Sequence, residues 1–330
     1  MLIMGKELLH PEQHHGLQKL LRSPSRLALV GLNLVVYYFL LRWLAENVHA
    51  DRFMDHLGQI PAWALLGSLF INQMTLVLHG VRMALLLGRD ISTGYSIINI
   101  GYALNTLIPL RLGEAMKMYL GQRLYGTPLV GIFAASVAEK LADLFKLLLL
   151  GIVVVVFTTG ELIQTGVLFS VAALIFLGGT AFILFRLYIV RIVKRLPKRG
   201  RLRRISIELH KHAGSYPVRR VLTISFCIWT LNIALVFFSF NTYLPGLHIS
   251  LLDATTLLLI VSFAIAIPSA PAGIGLFEAG IVAYLTQKSG VGNEAALAVA
   301  AAFHFIITIP QLLIAGWLLL NRRKARIASG

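Results

Sequence analysis

A single cysteine, Cys227, occurs in 330 residues, so no disulfide can form within the chain. It lies inside an apolar run, and no Cys/His spacing matches a zinc site. Charge is scarce: 13% of residues are charged, about half the share of a soluble domain. Acids are scarcer still, with 14 Asp+Glu against 30 Lys+Arg and a formal net charge of +16. A soluble protein with that excess would suggest nucleic acid as a partner. Here the cations fall between apolar runs, which is the topology signal of a membrane protein, and no nucleic acid is expected. Also missing are a hydrolase elbow, a P-loop and a dinucleotide fingerprint in any strand–turn–helix setting. Gly273-x-Gly275 has no preceding strand. Neither a metal nor a cofactor is expected, and His10, His14 and His15 read as a solvated tail.

What the chain has instead is apolar residue, 57% of the total, with a mean hydropathy of +0.79. A chain of this size has too little polar surface to cover such runs, so a bilayer is the solvent that fits. Residues 1–26 read as a basic N-terminal segment, 27–320 as one transmembrane domain and 321–330 as a basic tail. Apolar runs predict spanning helices at about 27–45, 61–87, 128–158, 165–187, 221–243 and 294–320. The first is too long for the core of a signal peptide, and no small-x-small cleavage site follows it. Between the first two, Glu46, Asp51, Arg52 and Asp55 read as a loop. Arg82, near the end of the second run, is expected to snorkel toward the cytoplasmic surface.

Two stretches have another texture. Residues 95–124 are broken at Pro109 and Gly113, and each half is too short, at ~1.5 Å per residue, to cross a ~30 Å core. Residues 251–288 are interrupted by Pro268-Ser-Ala-Pro271-Ala-Gly273-Ile-Gly275-Leu-Phe-Glu278. The N-terminus, the loop 191–220 and the C-terminus hold nearly all the loop cations, which places them in the cytoplasm. Counting crossings from there, 95–124 must begin and end on the cytoplasmic side and 251–288 on the outer side. The fold class expected is therefore an all-α polytopic protein of the bacterial inner membrane. It has six full-length spans and two re-entrant hairpins in inverted-repeat arrangement, the second of which could instead be two thin spans. Hairpins entering from opposite faces are a transporter signature, with broken helix ends meeting at the substrate.

The candidate site follows from that picture. A half-helix N-terminus offers free N–H groups and the positive end of a dipole, which suits phosphate. Arg111 at the first tip can hold phosphate by a forked pair of bonds. Glu114 either caps that helix or pairs with Arg111, Lys117 lies one turn on, and Asn105 can bond carbonyls freed by the break. Pro109, Gly113, Pro271, Gly273 and Gly275 shape the two tips. In the helix 128–158, Glu139, Asp143 and Lys146 fall within about 60° of one another, with Lys140 beside them. They form either a charge knot that locks helices or a polar wall of a transport path. Glu278 is the matching carboxylate of the second tip. His304 either relays protons or serves as a satisfied interhelical donor.

The series Asn105-Thr-Leu-Ile-Pro109-Leu-Arg111-Leu-Gly113-Glu114, then Glu139-Lys140-Leu-Ala-Asp143, then Pro268 to Glu278 resembles the flippase-like membrane domain of lysylphosphatidylglycerol synthases, over about residues 25–320. That family usually has Glu-Arg-x-x-Asp where this chain has Lys140, and often Pro-Gly-Gly where it has Ala272. The resemblance implies site roles for Arg111, Glu114, Glu139, Asp143 and Glu278. Bifunctional members carry a soluble aminoacyl-transfer domain after the membrane part. This chain ends shortly after its last apolar run, so no such transferase activity is expected. The function expected is translocation of a phosphate-bearing lipid between leaflets, without enzymatic chemistry. The alternatives are an intramembrane enzyme acting on a lipid head group, and an accessory subunit that presents lipid to a lipid-modifying enzyme.

Overall fold

The computed structural model describes residues 38, 42, 48–107, 113–158, 217–266 and 273–328. Regular structure among them is entirely helical: α1 (Ala50–Gly58), α2 (Ala62–Leu87), α3 (Ile91–Leu107), α4 (Gly113–Tyr125), α5 (Leu129–Thr158), α6 (Val218–Tyr243), α7 (Leu251–Ala266), α8 (Leu276–Ser289) and α9 (Asn293–Ala328). The chain divides between His49 and Ala50 into two units, and the helices α1 to α9 belong to the second. Apart from residues 38 and 42, the helix expected at 27–45 lies outside the described residues. So do the one at 165–187, the basic loop as far as residue 216, and Pro109, Arg111 and Pro271.

Three expectations change. The segment read as a loop after residue 46 contains α1, which packs against α9. Nine residues are too few to establish a 3.6-residue period, so its helicity depends on that neighbour. Helix α6 begins at Val218, just after Pro217, and takes Arg219 and Arg220 into its first turn. Helix α9 runs on to Ala328 beyond its apolar part, because Arg and Lys are good helix formers once a helix is nucleated.

Helix α2 turns large apolar side chains outward. On α2, Trp63, Leu66, Phe70, Met74 and Val77 form an exposed stripe at helical spacing. The opposite face buries Ala64, Ser68, Asn72, Thr75 and Gly80. Large apolar residues outside with small and polar ones inside is how helices pack in lipid, where burying Leu gains nothing. By length and composition, Ala62–Leu87, Val218–Tyr243 and Asn293–Asn321 are each fit to cross a membrane. The protein is a multi-pass membrane protein.

Small residues set the close crossings. Gly88, at φ 61, ends α2, with Gly88 N–H on Leu85 O and Arg89 N–H on Ala84 O. Asp90 then caps α3: its carboxylate accepts from Thr93 N–H at 2.9 Å and from Thr93 Oγ1 at 2.7 Å. Those two bonds hold the Asp90 carboxyl below its usual pKa. A depressed folded-state pKa means that the cap stabilises at neutral pH and is lost as pH falls through the lowered value. Asp90→Ala should therefore melt below wild type at pH 7, and the gap should close in acid below the ordinary aspartate value of about 3.9.

Helices α3 and α4 lie side by side and antiparallel. A Cβ built on Gly113 would strike Asn105, one on Gly101 would strike the Lys117 stem, and one on Gly121 faces Ile97. Each four-residue step up α4 is thus matched by four down α3. Helices α7 and α8 pair in the same sense: Gly273 lies against Ile265, Gly280 against Ile260, and Tyr284 Oη donates to Asp253 Oδ1 at 2.6 Å. Within α9, Pro310 has no N–H to give Ile306 O. Asn72 Nδ2 of α2 takes that place at 3.0 Å, which fulfils the lipid requirement that a freed carbonyl find a donor.

Candidate functional site

Five helices bring polar side chains to one buried place. Helix α5 presents Glu139, Asp143 and Lys146 at i, i+4 and i+7, one face of the helix. Facing them from α2 is Arg82, whose side chain is 0% exposed. Its guanidinium forks onto Asp143, with Nη1 on Oδ1 at 2.7 Å and Nη2 on Oδ2 at 3.0 Å. Nη2 also reaches Glu139 Oε1 at 2.8 Å, and Nη1 reaches Ser225 Oγ of α6 at 3.0 Å. The planar five-donor fork of arginine suits it to bridging two carboxylates at once. A snorkelling Arg82 is thus not what the chain forms: the side chain turns inward because two buried carboxylates need its charge more than water does.

The network extends on both sides. Lys146 Nζ donates to Asp143 Oδ1 at 3.1 Å and lies over the Trp229 ring. Trp229 Nε1 is 3.4 Å from the same oxygen. On the other side, the Tyr102 hydroxyl of α3 is 3.1 Å from Glu139 Oε1 and 2.9 Å from His79 Nδ1. Arg82 Nη2 is 3.2 Å from that nitrogen.

Helix α4 adds the second half of the site. Lys117 lies over Gly101, where the missing side chain leaves room for its stem, and its Nζ reaches Glu114 Oε2 at 2.6 Å. Glu114 Oε1 is 3.5 Å from Lys140 Nζ and accepts from Asn105 Nδ2 at 3.2 Å. Asn105 Nδ2 therefore bonds a carboxylate, because the antiparallel pairing puts Glu114 beside it. Lys140 is 51% exposed, the most exposed member of the cluster.

Among the described residues, Arg82, Lys117, Lys140 and Lys146 lie against Glu114, Glu139 and Asp143. Glu139 Oε2, buried, has no hydrogen-bond donor among the described residues, and Lys117 Nζ stands 4.0 Å from it.

Of the residues expected to act, the structure thus gathers Asn105, Glu114, Lys117, Glu139, Lys140 and Asp143. Glu278 is not brought into contact with them. Its Oε1 is 2.5 Å from His304 Nδ1 on α9, and its Oε2 accepts the Gly275 N–H at 2.6 Å, capping α8. Gly273 and Gly275 take φ of 74 and 90, a region that favours glycine. Sequence reasoning missed Ser225 and Trp229. Their i, i+4 spacing puts two polar groups on one face of an apolar helix, and that was the available signal.

The sequence pattern of the lysylphosphatidylglycerol synthase TM region matches residues 29–315. The chain belongs to that family. No curated protein matches it. The family match takes in every helix that contributes to the polar cluster, and also the Glu278–His304 pair. A lipid-related role in the membrane follows from membership.

Proposed function

We propose that this member of the family is a translocator that moves a phosphate-bearing lipid between leaflets, without chemistry on the lipid. The observation that carries the reading is the cluster of ionisable side chains from five helices, with Arg82 and Lys117 fully enclosed. Ionisable groups inside a membrane protein are costly and mark substrate pathways. A lipid phosphate offers acceptor oxygens to lysine and arginine. The same reading assigns Arg111, between α3 and α4 in the sequence, to the phosphate as a second guanidinium.

The short helices support a broken-helix arrangement. At ~1.5 Å per residue, the 17 residues of α3 and 13 of α4 fall short of a ~30 Å core, as do the 16 of α7 and 14 of α8. We read both pairs as re-entrant, α3–α4 from the cytoplasm and α7–α8 from outside, among six full spans of the bacterial inner membrane. Both termini are then cytoplasmic, and the basic loop 191–220 gathers anionic lipid at that surface.

The test is leaflet exchange of fluorescent phospholipids in vesicles holding the pure protein. Lys117→Gln with Lys140→Gln should slow exchange of an anionic lipid about tenfold or more, the worth of one charge-assisted hydrogen bond. Arg111→Ala with Glu114→Ala should do the same. Wild-type rates in both double variants would remove the assignment. A new covalent lipid product in mass spectra would replace transport with enzymology.

A further inference from the structure

The same carboxylate position occurs twice, with partners of different kinds. Glu114 and Glu278 each stand in the first turn of the helix that follows a break, α4 and α8. Glu114 faces two lysines. Glu278 faces a histidine, the side chain whose ordinary charge change falls between pH 5 and 8.

The surroundings isolate that second pair. The His304 and Glu278 side chains are 8% and 15% exposed. The His304 ring stacks on Phe277 at 4.2 Å, and Phe277 stacks on Phe303, within an apolar cluster that includes Ile281 and Ala300. Charged groups on the neighbouring helices are engaged elsewhere or lie at helix ends. Asp253 of α7 is held by Tyr284 and Ser250. Arg82 and His79 of α2 belong to the first cluster, where Tyr102 of α3 joins them. Asp51, Arg52, Asp55 and His56 are on α1, Arg219 and Arg220 open α6, Lys288 closes α8 and Glu294 opens α9. Among the described residues, none of these bonds Glu278 or His304.

We propose that Glu278 and His304 form a proton-binding pair that couples lipid movement to a proton gradient, an inference that rests on the translocator reading above. With a neutral imidazole the pair carries one negative charge, and with an imidazolium it carries none. Glu278 Oε2 holds the Gly275 N–H, so a change in the charge of the pair acts directly on the N-terminal end of α8. The proton is bound and released unchanged, and no bond to the lipid forms.

The experiment uses the full chain in vesicles with a trapped pH dye and a fluorescent anionic phospholipid. With one pH unit imposed across the membrane, proton flux should accompany lipid movement. The leaflet ratio of the lipid should shift about tenfold for one proton per lipid. His304→Gln, which keeps a hydrogen-bonding side chain beside Glu278, should exchange lipid but ignore the gradient. Wild-type exchange that is blind to pH and moves no protons overturns the coupling and leaves the translocator standing. A His304→Gln variant that follows the gradient like wild type overturns the assignment to this pair. Absence of any lipid exchange by wild type sinks both proposals.

Discussion

Arg82→Ala is expected to be the most damaging single substitution in the chain. It strips Glu139 and Asp143 of the guanidinium that bridges them while leaving both carboxylates inside the protein. Removing one partner of a buried ion pair costs about 3–5 kcal/mol, because it leaves a buried charge poorly compensated. Lys146 remains beside Asp143, but Glu139 keeps the Tyr102 hydroxyl and, at 4.0 Å, the Lys117 ammonium. Arg82→Lys should be intermediate, since it retains a charge but loses the fork. Adding Glu139→Gln and Asp143→Asn to Arg82→Ala should recover much of the loss by removing the stranded charges. Thermal unfolding of the detergent-purified protein, followed by loss of its monodisperse peak, measures all three. An Arg82→Ala protein that melts with wild type would mean that the Arg82–Glu139–Asp143 centre of the cluster is not formed.

Gly113→Val should be the second-largest loss. A Cβ at this position would run into the Asn105 amide nitrogen and the Leu104 carbonyl carbon. Both are backbone atoms of α3 and cannot retreat as the tip of a side chain would. Overpacking of this kind costs about 1–3 kcal/mol when it is absorbed by a shift. Here the shift would part α3 from α4 and pull Glu114 from Asn105, so lipid exchange should fall together with stability. Gly151 on α5 is the control: a Cβ there meets nothing within 4 Å. Gly151→Val should be neutral or slightly stabilising, because valine is the better helix former. Equal melting of the two variants would refute the close approach of α3 and α4.

Much of the helical framework was legible from the chain. The apolar run ahead of Gly88 places α2 to within a residue of its observed bounds, and Pro128 announces α5. The break around Pro109 and Gly113 separates two helices that each fall short of a bilayer. Spacing alone also puts Glu139 and Asp143 on one face. Helix α1 was not legible, because nine residues rich in charge resemble a loop until α9 lies against them. The destination of Arg82 was hidden for another reason. Its depth in an apolar helix is compatible with reaching outward to a head group or inward to an acid, and only the presence of Glu139 and Asp143 across the interface decides.

The sequence by itself determined that this protein lives in a bilayer, that it belongs to the lysylphosphatidylglycerol synthase TM-region family, and which ionisable residues share a helical face. Those properties are local or additive: they depend on composition, on order along the chain and on the 3.6-residue period. Only the tertiary structure decided that Arg82 serves as counter-ion to α5, that the Lys117 stem is buried over Gly101 of α3, and that Glu278 takes His304 for its partner. Which distant charge neutralises which is set by how helices rotate and cross. In this chain that depends on where glycines let backbones approach within a few ångströms, and no periodicity along one strand of sequence encodes it.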